Sequence, residues 1–128
     1  MILLDTSIWI ELLSDRRGAR VRLQDDDVLR FVTCGPVVQE VLQGLRPGPA
    51  SDAFRYAFLA IPVLSDPIPL ELFLSAADIY RQGRKKGFTI RSTVDCLIAA
   101  IAIKNAVAVW HRDRDFTAIA RYTGLETV

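Results

Sequence analysis

A chain of 128 residues, 51% of them hydrophobic, is one domain by size, long enough to bury a core and too apolar to stay disordered. Its longest apolar run, residues 96–103, falls far short of the ~20 residues that a bilayer span needs, and the opening Met1-Ile2-Leu3-Leu4-Asp5 has no basic segment or cleavage site, so a cytoplasmic protein without membrane association is expected. The net charge of +1 hides an asymmetry: thirteen of the sixteen basic residues are arginine, the side chain whose fork best matches phosphate.

Residues 2–4 read as a buried strand, apolar without alternation as parallel strands are. Asp5-Thr6-Ser7 offers helix caps before a helix over 8–13, with Trp9 and Ile10 beside its apolar stripe. A loop over 14–18 leads to a second helix over 19–29, in which Asp25-Asp26-Asp27 reads as a solvated face or end. Residues 31–33 form a strand. Pro36 opens a helix to about residue 45, and the Gly- and Pro-rich stretch 44–49 ends it. A helix over 51–60 follows, then a strand or linker at 61–64. Pro69 opens a long amphipathic helix that Gly87 stops near residue 86. Ser92 or Thr93 caps a strongly apolar helix to residue 104. A strand over 106–110, a helix over 116–122 and a last strand over 125–128 complete the chain. This β–α alternation implies a three-layer α/β/α domain around a central, mostly parallel sheet of four to five strands. Cys34 and Cys96 lack CxxC spacing and read as small buried apolar residues.

Four carboxylates stand where such a fold converges. In parallel sheets ligands bind beyond the carboxyl ends of the strands. Asp5 directly follows the first strand, and Asp113 follows the 106–110 strand by three residues; either can also cap a helix. On its helix, Glu40 falls between the buried stripe of Val37, Val38, Val41, Leu42 and Leu45 and the wet face of Gln39, Gln43 and Arg46. That boundary suits a cleft-lining acid and equally a surface glutamate. Asp95 opens a helix apolar nearly all round, which belongs at the centre of a domain; the same acid completes a capping box with Ser92. In His111-Arg112-Asp113-Arg114-Asp115-Phe116, Asp115 immediately precedes the expected helix and reads as its N-cap, leaving Asp113, nearer the strand, as the ligand.

Hard carboxylate oxygens with no Cys/His set select Mg²⁺ or Mn²⁺ over Zn²⁺. Such a site activates water against a phosphodiester, and arginines around an acidic pocket suit a polyanionic substrate. The only histidine, His111, has no nucleophile partner for a triad and reads as structural or a substrate contact. No phosphate-cradling glycine motif is present. Arg81, Arg84, Lys85, Lys86 and Arg91 form the densest basic stretch. With Arg112, several of these are candidates to guide the phosphates of such a substrate; a solvated helix face is the alternative.

Residues 1–10, 35–44, 91–100 and 111–116 together resemble a PIN-domain ribonuclease, specifically the VapC toxins of bacterial toxin–antitoxin pairs. The resemblance implies a Mg²⁺- or Mn²⁺-dependent endoribonuclease whose acidic quartet is Asp5, Glu40, Asp95 and Asp113. Thr6 or Ser7 would assist near the metal, with Asp115 in support. It also implies a homodimer, an RNA substrate and neutralisation by a VapB-type antitoxin. One departure is His111, where many relatives carry Thr. Three rivals stand beside it. A catalytically inactive PIN-fold binding module would not need the full quartet. A receiver-like Mg²⁺-binding signalling domain would need a strand-end lysine. A haloacid-dehalogenase phosphatase would need Asp-x-Asp where Asp5-Thr6-Ser7 stands.

Overall fold

The computed structural model describes residues 1–14 and 27–128. The expected 19–29 helix lies outside them except for its end, where Asp27–Arg30 forms a 3₁₀ turn. Four strands are present among the described residues: β1 (Ile2–Leu4), β2 (Phe31–Cys34), β3 (Val63–Leu64) and β4 (Ala108–Trp110). They alternate with α1 (Thr6–Leu13), α2 (Gly35–Gln43), α3 (Pro49–Phe58), α4 (Leu70–Lys85), α5 (Thr93–Lys104) and α6 (Arg114–Ala120). Every strand pair is parallel, in the order β3-β2-β1-β4, and helices cover both faces in three layers. Burial on both faces is why β1 and β2, the inner pair of the sheet, carry little polar character: Leu3, Leu4, Val32 and Cys34 are fully buried, as is Thr33.

The strand order places the site. From β1 the chain builds outward through β2 to β3, then returns to lay β4 on the other side of β1. The carboxyl ends of β1 and β4 therefore flank a topological switch point, the crevice where open α/β sheets bind ligands. The order also differs from the 2-1-3-4-5 arrangement of receiver domains, which removes that rival.

α5 is the central helix. Seven of its residues, Asp95, Cys96, Ile98, Ala99, Ala100, Ile101 and Ala102, are buried, as its apolar composition requires. α4 ends in a Schellman motif: Phe88 N–H donates to the Gly83 carbonyl (2.8 Å) and Gly87 N–H to that of Arg84 (3.2 Å). Gly87 supplies the left-handed backbone (φ 85°) that this needs. Gly83 answers a different constraint, since a Cβ there would sit 2.5 Å from Tyr122 Oη, whose hydroxyl donates to the Ile79 carbonyl (2.8 Å).

Three expectations are corrected. The strand over 125–128 shortens to a single parallel bridge between Val109 and Thr127, held by Val109 N–H to Glu126 O and Val128 N–H to Val109 O, both 2.9 Å. Only Leu125 of that segment is buried, so no apolar face holds a longer ladder in place. The 106–110 strand starts at Ala108, because Ala106 takes a positive φ in the turn that leaves α5. α6 begins at Arg114 rather than Phe116. Trp9 and Ile10 separate: Trp9 is core, while Ile10 is 59% exposed. Both cysteines are free and buried; burial pushes the Cys34 thiol up to about 12 and the Cys96 thiol up to about 11, so neither is a thiolate at neutral pH.

Candidate metal centre

Asp5 stands at the seam of the switch point. Its N–H donates to the Trp110 carbonyl (2.9 Å), joining the ends of β1 and β4. Its carboxylate caps α1, accepting from Ser7 N–H (3.3 Å) and Ser7 Oγ (2.8 Å). Ser7 Oγ in turn accepts the Arg112 N–H (3.1 Å), so one serine ties Asp5 to the loop that carries Asp113. Thr6 Oγ1 is buried and has no hydrogen-bond partner of good geometry among the described residues.

Asp113, not Asp115, is the N-cap of α6: its Oδ1 accepts the Asp115 N–H at 2.9 Å. The first turn of α6 begins with the polar pair Arg114-Asp115, so the first apolar residue, Phe116, does not mark the start of the helix. Asp115 is buried, and its Oδ2 accepts the N–H groups of Arg91 (3.0 Å) and Ser92 (3.1 Å). It thus fastens α6 to the start of α5. Ser92 caps α5 by accepting the Asp95 N–H (3.3 Å).

These caps draw three acids together. Asp95, Asp113 and Asp115 each offer an oxygen, and those oxygens lie within 4.8 Å of one another. Asp5 and Glu40 are not in this tightest group, although their charges act on it. The Asp95 carboxyl is pushed up to about 8, first by burial and then by the charges of Asp5, Asp113, Asp115 and Glu40. Glu40, half-buried on α2, is also raised, by burial and by Asp5; the Thr6 hydroxyl opposes that rise. The decisive atom is Asp95 Oδ2, which is buried and has no hydrogen-bond partner among the described residues. A buried acceptor with nothing to bond is costly, and a divalent cation bonded there would supply the missing partner.

His111 sits beside the cluster. Its Nδ1 accepts the Asp113 N–H (3.1 Å) and its ring packs 5.2 Å from Phe116. Burial lowers its pKa, against the pull of the Asp5 and Asp113 charges. It shapes the loop that presents Asp113. The predicted basic residues divide. Arg112 is held by Glu11 (Nε–Oε2 3.1 Å). Arg81 borders an apolar groove between α4 and α5. Arg84 and Lys85 occupy the exposed last turn of α4. Of the predicted set, Arg91 alone has its backbone bonded to an acid of the cluster.

Residues 2–122 match the family model for the PIN domain. The chain belongs to the PIN-domain family. It is 36% identical over 98% of its length to the VapC ribonuclease Mb1587 of Mycobacterium bovis, and equally to Ribonuclease VapC11 of Mycobacterium tuberculosis, covering 96% of each. These relatives place it among the VapC ribonucleases of that family. Solved structures share its fold: VapBC-1 from nontypeable Haemophilus influenzae (TM-score 0.69, 20% identity, 100% of this chain and 97% of that one). FitAcB from Neisseria gonorrhoeae has a TM-score of 0.71 at 22% identity, over 99% and 96% of the two chains. VapBC2 from Rickettsia felis, bound to a DNA fragment from its promoter, has 0.71 at 16%, over 100% and 98%.

Proposed function

We propose that this VapC-family chain is a Mg²⁺-dependent endoribonuclease, with Mn²⁺ able to substitute, and the toxin of a toxin–antitoxin pair. The observation that carries the metal assignment is the unbonded, buried Asp95 Oδ2 inside a group of three carboxylates at the switch point. Asp95 and Asp113 would hold the cation, with Asp5 and Glu40 completing an acidic quartet around it. All-oxygen donors fit Mg²⁺ and Mn²⁺. When bound, such a cation lowers the pKa of water and offsets charge on the attacking and leaving oxygens of a phosphodiester.

The protein's own residues do the rest. Ser7 fixes the Asp5 carboxylate through two hydrogen bonds, and the Asp115 N–H fixes Asp113. Asp115, spent on two backbone N–H groups, acts as the strut that holds the starts of α5 and α6 together. Glu40, whose carboxyl is raised by burial and by the Asp5 charge, would take a proton from the attacking water in this reading. The expected partner is a VapB-type antitoxin, by analogy with the toxin–antitoxin complexes among the structural neighbours. A homodimer would cover the apolar groove between α4 and α5, where Phe73 and Val94 are exposed. No helix among the described residues is long and apolar enough to cross a membrane.

The test is cleavage of cellular RNA by the purified chain, with cut sites mapped by end sequencing. Wild type should cut at discrete sites in Mg²⁺ and stop in EDTA, and Asp5→Ala should leave no sites. Cleavage that persists in EDTA, or in Asp5→Ala at the wild-type rate, would refute the reading.

A further inference from the structure

α6 and the segment joining α4 to α5 bound an open cleft of about 590 Å³ next to the acidic cluster, with Asp115 in the wall of both. Three exposed arginines line it: Arg91, Arg114 and Arg121. Among the described residues the only carboxylate in its lining is Asp115, and that acid already accepts the Arg91 and Ser92 N–H groups through Oδ2. Among the described residues none of the three guanidinium groups has an ion-pair partner. Arg121 is also held in place: it lies 5.4 Å over the Phe88 ring, and Phe88 stacks on Tyr122 with centroids 5.5 Å apart. Phe88 is itself positioned by the Schellman motif of α4. Three like charges around one cleft repel one another, and Arg114 stands in the first turn of α6, where a cation is disfavoured by the helix dipole. An anion in the cleft relieves both costs.

We propose that this cleft seats a backbone phosphate of the RNA strand adjacent to the phosphate being cut, with Arg91, Arg114 and Arg121 as positioning residues. The inference rests on the ribonuclease reading and deepens it. The shared Asp115 wall means that a strand whose scissile phosphate lies at the acids carries its neighbouring phosphates across the arginines. Guanidinium forks match phosphate oxygens, and Thr89 and Thr117 in the same lining add hydroxyl donors. The basic residues that matter are then distributed over the α4–α5 segment and α6, rather than run along the end of α4.

The test is steady-state cleavage, across a series of NaCl concentrations, of a labelled RNA that carries a mapped cut site. For Arg114→Gln/Arg121→Gln, KM should rise about tenfold or more while kcat stays within about threefold. The slope of log KM against log[NaCl] should become shallower by roughly 1.4, the loss of two phosphate contacts to a single strand at ~0.7 each. Arg114→Lys/Arg121→Lys should keep the wild-type slope, because the charge survives. Arg55→Gln, on the exposed face of α3, should change neither KM nor slope. If wild type cuts RNA and the glutamine pair keeps its salt slope, the cleft assignment is overturned and the ribonuclease reading stands. If wild type cuts no RNA, both fall. A glutamine pair that cleaves normally but no longer binds its antitoxin would overturn the RNA assignment in favour of a protein-docking cleft.

Discussion

Replacing Asp95 with asparagine is expected to lower RNA cleavage by more than about a thousandfold, the scale seen when a member of a cooperating catalytic group is removed, and to make the metal-free protein more stable. The second effect follows from proton linkage. The Asp95 carboxyl is raised from 3.8 to about 8 in the fold, so between those pH values the native state keeps a proton that the unfolded chain has lost. Native stability therefore falls as pH rises through that window, by an amount on the order of a few kcal/mol for a shift of this size. Asparagine is the permanent equivalent of the protonated acid and removes the penalty. Without metal, the Tm of Asp95→Asn should match wild type near pH 4 and exceed it at pH 8. Mg²⁺ should raise the Tm of wild type more at pH 8 than at pH 5.5, because cation and proton compete for one oxygen, and should leave the variant unmoved. Thermal melts over this pH range check the claim; equal melting of the two proteins at pH 8 without metal would contradict it.

The second large effect concerns the framework. Trp9, on α1, meets Phe31 of β2 at 5.9 Å, Phe54 at 6.2 Å and Phe58 at 5.0 Å, all edge-on. This cluster carries α3, which has no ion pair to hold it among the described residues, onto the rest of the core. Trp9→Ala should cost about 3–5 kcal/mol for the cavity, plus ~0.5–1.5 kcal/mol for each lost aromatic pair, against a total stability of only about 5–15 kcal/mol. Denaturant unfolding should show a large fall in midpoint or no folded baseline. Trp9→Phe should cost less than about 1.5 kcal/mol, because the indole Nε1 has no hydrogen-bond partner to lose. A Trp9→Ala midpoint near that of wild type would show that α3 is held by something else.

Much of this architecture could be read from residue order. The apolar triplet 2–4, without alternation, marked β1, Ser92 or Thr93 marked the start of α5, and Gly87 marked the end of α4, because each reports a local requirement. Asp5 and Asp113 could be placed at one rim because parallel strands send their carboxyl ends the same way. What the sequence left hidden depends on partners distant along the chain. Trp9 and Ile10 are equally apolar neighbours, and only the packing of α3 decides which is buried. Residues 125–128 have strand composition but no second face to cover. Asp113 and Asp115 stand two residues apart, and the backbone N–H groups that claim Asp115 come from residues 91 and 92. The arginine cleft was invisible for the same reason: residues 91, 114 and 121 carry no shared motif and meet only because Asp115 pins α6 to α5.

The most direct measurement is anomalous diffraction from crystals soaked in Mn²⁺. One strong peak bonded to Asp95 Oδ2 at about 2.1–2.2 Å, with a second carboxylate from Asp113 or Asp5 in its coordination sphere, is the result that the acid arrangement requires. Crystals that take up Mn²⁺ elsewhere, or not at all, with Asp95 Oδ2 still unbonded, would contradict it.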